Sequence, residues 1–178
     1  LERIDVFYIL DMGMKAKNVP QIFYSLRGII AFELKIKTSE TDLHSGVYGN
    51  RVFNPAQLLS ELMSKMKDSQ TGKIKIPEFY DQVKENHLQP SLDINGMVSG
   101  YTGEGTKTII PGTALVKFSI RLVSDQDHKK IERLVQKFIK NNLPEKVDFQ
   151  LRIFAGSNPF YTDFENPYTK KTAKILSE

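Results

Sequence analysis

Apolar and polar residues alternate most cleanly in GIIAFELKIKT, where Ile30, Phe32, Leu34 and Ile36 share one face and Glu33, Lys35 and Lys37 the other. A period of two with one apolar face predicts a half-buried strand. TALVKFSIRLV repeats the pattern, with Ala114, Val116, Phe118, Ile120 and Leu122 on one side and Lys117, Ser119 and Arg121 opposite. VDFQLRIF alternates Val147, Phe149, Leu151 and Ile153 with Asp148, Gln150 and Arg152. PSLDINGMVSG predicts a further strand, weakened at Gly96, which has no side chain to pack. Between these strands the period becomes helical. Asn54-Pro55 offers an N-cap and a proline at the first helical position, ahead of Leu58, Leu59, Leu62, Met63 and Met66. Ser124 to Asp127 reads as a second capped start, ahead of the stripe Ile131, Leu134, Val135, Phe138 and Ile139.

The order is β-α-β-β-α-β, with one apolar face per strand and one apolar stripe per helix. The predicted fold class is α+β: a ferredoxin-like sandwich, a four-stranded antiparallel sheet with two helices on one face. Its other face carries Lys117 and Arg121 and is expected to stay wet or meet a partner. The two ends fall outside this unit. RIDVFYIL predicts a strand ending at Asp11, followed by a loop through Pro20, and PYTKKTAKILSE predicts the first turns of a helix with nothing to pack on. The sandwich, residues 26–157, therefore reads as an insertion in a larger protein, with residues 1–25 leading into it and 158–178 returning from it.

Composition narrows the function classes. A chain of 178 residues, 40% hydrophobic and 26% charged, is globular and long enough for a real core. No apolar run approaches the roughly 20 residues that span a bilayer, and LERIDVFYIL lacks the basic start of a signal peptide, so a soluble, cytoplasmic protein without membrane contact is expected. Zero cysteines exclude disulfides and thiolate metal sites. The net charge of +4 raises nucleic acid as a partner. The basic residues are scattered among 21 acidic ones, and the densest group, Lys65, Lys67, Lys73 and Lys75, flanks a helix end and turn, so no nucleic-acid binding is expected.

Candidate chemistry is sparse. The only histidines are His44, His87 and His128, with no His-x-His and no His-Glu-x-x-His, so the chain cannot by itself build a zinc site of three protein ligands. His87 and His128 lie in polar stretches and are expected to be solvated. Ser45 beside His44 is not a nucleophile and base pair, and no Gly-x-Ser-x-Gly surrounds it. The glycines of SGYTGEGTKTIIP lack the lysine-serine ending of a phosphate loop. His44, in TDLHSGVYGN, is left open by pattern between a loop residue and a functional one.

Several motifs agree in order and spacing with one family. YILD, YSLRGI, DLHSGVYGN, PSLDINGMVSGYTGEGTKTIIP and VKFSIRLVSDQD closely resemble the carnosinase-type metallodipeptidases of the aminoacylase and glutamate carboxypeptidase superfamily, from Ile4 to about Phe164. The resemblance implies a parent enzyme with a catalytic α/β domain holding two zinc ions, or manganese, that hydrolyses small peptides by metal-activated water. A ferredoxin-like lid domain mediates homodimerisation. By this resemblance residues 1–25 end the catalytic domain and link to the lid, 26–157 form the lid, and 158–178 return to the catalytic domain. This chain alone is expected to hold no metal and to be inactive.

Four positions carry over by the resemblance. Asp11 matches an aspartate that ligates one metal, and His44 a lid histidine that reaches the partner subunit's active site and hydrogen-bonds the scissile carbonyl. Thr108 and Arg121 match substrate-binding positions, Arg121 being suited to a dipeptide's carboxylate. Gly46 and Gly49 would give the His44 loop its turns. Ala155 stands where relatives often carry a histidine, and the stretch between IPEFYD and PSLDI is shorter than in many of them, so a dipeptide, a longer peptide or an N-acyl amino acid all remain as substrates. The competing class is a non-catalytic ferredoxin-like regulatory module that binds an amino acid.

Overall fold

The structure, a computed structural model, describes residues 3–9, 11–84 and 88–177. In chain order its elements are β1 (Ser25–Leu26), β2 (Gly28–Lys37), β3 (Leu43–His44), α1 (Ser45–Tyr48), α2 (Pro55–Met66), β4 (Ser91–Ser99), β5 (Ile109–Ile110), β6 (Thr113–Leu122), α3 (His128–Asn142), β7 (Asp148–Ser157), β8 (Phe160–Tyr161) and α4 (Pro167–Leu176). The chain divides into two compact units: Arg27–Pro159, and the paired end segments Leu1–Leu26 and Phe160–Glu178.

The four long strands expected from the alternation form one sheet in the order β4-β6-β2-β7, every neighbouring pair antiparallel. Phe32 pairs with Phe118 across the two central strands, and their rings stack at 4.8 Å. The even-numbered residues of β2 and β6 are buried together with Leu59, Leu62, Met63 and Met66 of α2 and Ile131, Leu134, Val135 and Ile139 of α3, so both helices cover the same face. Their starts are those the sequence suggested. Asn54 Oδ1 accepts from the Ala56 amide at 3.0 Å, and Asp127 Oδ1 from the Lys130 amide at 2.8 Å, each satisfying a donor that the first helical turn leaves unpaired.

The less regular stretch between α2 and β4 also feeds the core, through Ile74, Ile76 and Phe79. Gln126 holds it there: its buried side chain donates to the Phe79 carbonyl and accepts from the Val123 amide, both at 3.0 Å. β4, an edge strand, is the exception to the burial pattern. Only Leu92 is buried, the register slips between Ile94 and Gly96, and Ile94, Met97 and Val98 stand about half exposed.

In the end-segment unit, Ser25 and Leu26 pair with Tyr161 and Phe160, and Tyr24 sets its ring edge against Tyr161 and Phe164. α4 forms as expected and its Thr172 hydroxyl donates to the Tyr8 hydroxyl at 3.1 Å. The strand expected over RIDVFYIL is a correction: residues 4–9 carry no strand, and Phe7, Tyr8 and Ile9 are exposed. A strand exists only by pairing its amides with a neighbour, and among the described residues none runs beside this segment.

Candidate functional site

His44 sits where the chain leaves the sheet. Beyond Lys37 and Thr113, the last paired residues at one end of β2 and β6, the two strands continue as a small second ladder in which Leu43 faces Ile110 and His44 faces Ile109. Three contacts stitch the two segments together. The Gly112 carbonyl accepts from the Thr38 amide at 3.0 Å, the Asp42 carboxylate accepts from the Gly112 amide at 3.0 Å, and the Thr108 carbonyl accepts from the Ser45 amide at 2.9 Å. A side chain in place of Gly112 would crowd this junction, because a Cβ would meet the Ser39 carbonyl oxygen at 3.0 Å and the Thr41 backbone at 3.2 Å. His44 and Thr108, far apart in sequence, thus become neighbours, and both are exposed.

His44 is also the N-cap of the short helix α1. Its Nδ1 accepts from the Gly46 amide at 3.0 Å, so in the neutral ring the proton resides on Nε2. An exposed Nε2–H donor next to the Thr108 segment is therefore what the local geometry offers. Thr108 is approached from the other side by a self-braced loop: the Tyr101 hydroxyl donates to the Glu104 carbonyl at 2.7 Å, and Lys107 Nζ lies 4.4 Å from the Tyr101 ring centre.

Arg121 is not part of this neighbourhood. It pairs with Ile29 and Ser91 at the opposite end of the sheet, and the eight steps of β6 from Thr113 to Arg121 span roughly 27 Å at about 3.4 Å each. On the open face Lys117 and Arg152 lie 3.6 and 3.8 Å from the Glu33 carboxylate, whereas among the described residues Arg121 makes no ion pair and is exposed.

Asp11 lies in the end-segment unit, exposed and in a loop rather than at a strand end. Among the described residues no three His, Asp or Glu converge as a metal-ligand group. One exposed carboxylate does not fit a two-metal site on its own. His87 lies outside the described residues. His128, expected to be solvated, is half-buried and held: both its amide and its Nδ1 meet Asn158 Oδ1, at 2.8 and 2.7 Å. Lys67 of the basic group is likewise occupied, donating to the Leu92 carbonyl at 2.7 Å and to Asp93 at 3.1 Å. No helix among the described residues is long and apolar enough to cross a membrane.

Comparison with known proteins gives the family. Residues 24–147 match the family described as the peptidase dimerisation domain. The chain belongs to that M20 family. The chain is 31% identical to the Cys-Gly metallodipeptidase DUG1 of Saccharomyces cerevisiae, across 97% of this chain and 45% of that protein. It is 27% identical to the human Beta-Ala-His dipeptidase, across 92% of this chain and 40% of that protein. Among solved structures, an M20 family metallo-carboxypeptidase of Sulfolobus solfataricus superposes with a TM-score of 0.83 at 25% identity, covering 94% of this chain and 54% of that one. The dimerisation domain, with its flanking segments, spans about half the length of the curated relatives it matches.

Reading by pattern missed the groups that bring His44 and Thr108 together: Asp42, Gly112 and the Ser45 amide. The Pro111-Gly112 dipeptide was the available signal, since it marks a turn that lets Ile109 and Ile110 return beside Leu43 and His44.

Proposed function

We propose that this chain is the lid and dimerisation domain, with its two linking segments, of a dinuclear-metal peptidase that hydrolyses dipeptides or related N-acyl amino acids, and that its lid lends His44 to the partner subunit's active site. The unit Arg27–Pro159 is the ferredoxin-like lid in this reading, and the strand order β4-β6-β2-β7 supports it. The end segments belong to the catalytic domain, where Asp11 would be one ligand of a metal pair, zinc or manganese, completed by residues outside this chain. The metals would supply the activated water.

The separation between His44 and Arg121 carries the argument. A dipeptide spans only about 7 Å when fully extended, whereas His44 leaves the chain beyond the Thr113 end of β6 and Arg121 sits roughly 27 Å along that strand from Thr113, so one lid does not readily grip the same dipeptide with both. Two lids can. If one lid's His44 and Thr108 reach the partner's site, the Arg121 that binds the substrate carboxylate there is the partner's own. His44 would donate through Nε2–H to the carbonyl oxygen as negative charge develops on it. β4 supports the dimer: an exposed edge strand bearing half-exposed Ile94, Met97 and Val98 can pair with a second copy across a two-fold axis.

Mixed dimers of the two-domain parent test this reading. His44→Ala should lower turnover by about 10² to 10³, the usual cost of one lost oxyanion donor, with metal content unchanged. Mixing it with subunits dead at the catalytic base should restore activity, because the dead subunit's lid still supplies an intact His44. Arg121→Ala mixed with the same dead subunits should recover nothing. Verified subunit exchange without recovery in the His44 pair means that His44 acts in its own chain or not at all.

A further inference from the structure

We propose that Gly46 is a positioning residue that fixes the tautomer of His44, so that the imidazole presents a donor, Nε2–H, and never an acceptor, to the group it meets. The catalytic meaning of this rests on the preceding reading of His44. The tautomer assignment does not.

Three features of the turn lead to it. The Gly46 amide, 3.0 Å from Nδ1, can only donate, so Nδ1 must carry the lone pair and Nε2 the proton. The ring also lies directly over the bare α-carbon of Gly46: a Cβ there would stand 2.8 Å from His44 Cε1 and 3.1 Å from Nδ1. Finally, the backbone on both sides of the ring is tied down, by the pairing of His44 with Ile109 and by the Ser45 amide on the Thr108 carbonyl, so the chain cannot swing to accommodate an added side chain. Gly46 therefore acts twice, through the amide it has and the side chain it lacks.

The chemical consequence is one of sign. The opposite tautomer would offer a lone pair at Nε2, which repels a carbonyl oxygen gaining negative charge, whereas the Nε2–H form attracts it. The distal nitrogen is the one that can extend furthest from the backbone, so the proton is kept where a reacting group can reach it. An N-cap is ordinarily Ser, Thr, Asp or Asn, and the use of histidine here exchanges a better cap for a ring whose proton is placed.

Nitrogen-15 NMR of this chain at about pH 8, above the ordinary imidazole range near 6.5, reads the assignment directly. The expected result is a scalar coupling across the hydrogen bond between the Gly46 amide nitrogen and His44 Nδ1, with the ring proton on Nε2. Gly46→Ala keeps the amide but adds the clashing Cβ, and should abolish the coupling while the amide signals of β2, β6 and α2 stay in place. Gly46→Pro, tolerated in a first helical turn, deletes the donor and should abolish it too. Absence of the coupling in the unaltered chain, a proton found on Nδ1, or its persistence in Gly46→Ala overturns the proposal. The two readings fail separately. A coupling present while His44→Ala of the parent turns over normally would remove the catalytic role and leave the tautomer assignment standing.

Discussion

The two units of this chain use similar residues to opposite ends. Between Ile30 and Val147 the apolar residues of the sheet and helices close into one core, with Ile30, Leu34, Ile36, Leu59, Val116 and Val135 fully buried. The end segments are as rich in large apolar residues, yet Phe7 is 64% exposed and Ile9 78%, and Met12, Met14, Phe160 and Ile175 are exposed as well. Thr169 is the residue buried among the described ones there. The first unit is complete in itself. The second has the composition of a core but leaves those residues exposed.

The largest effect that tests this contrast comes from the same substitution made in both units. Phe118→Ala removes a ring stacked on Phe32 at the centre of the sheet and should cost about 3–5 kcal/mol of stability in urea unfolding. Phe7→Ala should change it by less than about 0.5 kcal/mol, as exposed substitutions do. Equal costs would mean that the end segments already carry a core of their own.

A smaller effect distinguishes the polar contacts of the two units. Gln126→Ala leaves the Phe79 carbonyl and the Val123 amide without their partner in a buried place, a loss of about 1–3 kcal/mol. Thr172→Val in α4 breaks only exposed contacts, to the Tyr8 hydroxyl and the Tyr168 carbonyl, and should be nearly neutral by the same measurement. A cost for Thr172→Val as large as that for Gln126→Ala would show the end segments to be as tightly held as the sheet.

How far the sequence could be read follows the same division. β2 and β6 were legible because each is a central strand with one face on the helices, so burial imposes strict alternation. α2 and α3 were legible from Asn54-Pro55 and Asp127, whose caps act over three or four residues. The strand wrongly expected at residues 4–9 shows the limit: alternation is meaningful only where a partner strand exists, and here there is none among the described residues. The site was half legible. The resemblance named His44, Thr108 and Arg121, but β3 and β5 are two residues long, too short for any period, so nothing local revealed that Thr108 is laced to the His44 turn or that Arg121 lies at the other end of the sheet.

The smallest expected effect concerns acid. The carboxyl groups held below their ordinary value of 3.8 are Asp68, Asp93 and Asp127, and all three belong to the sheet unit. At Asp127 the main cause is the hydrogen bond from the Lys130 amide at the start of α3. Because its folded value lies below its unfolded one, the carboxylate contributes stability that is fully present above the unfolded value of about 3.9 and is lost as pH falls through the folded one. α4, by contrast, is capped by neutral Asn166, which has no proton to gain. Acid should therefore weaken the sheet unit first. The check is the urea midpoint of the chain at about pH 6 and about pH 3, where Asp127→Asn, which keeps an acceptor for the amide but not the charge, should show a shallower fall than the unaltered chain. Exposure and salt keep this effect small. An identical fall in the two proteins would mean that the charge at this cap contributes nothing, and that the acid sensitivity of the unit resides in Asp68 and Asp93.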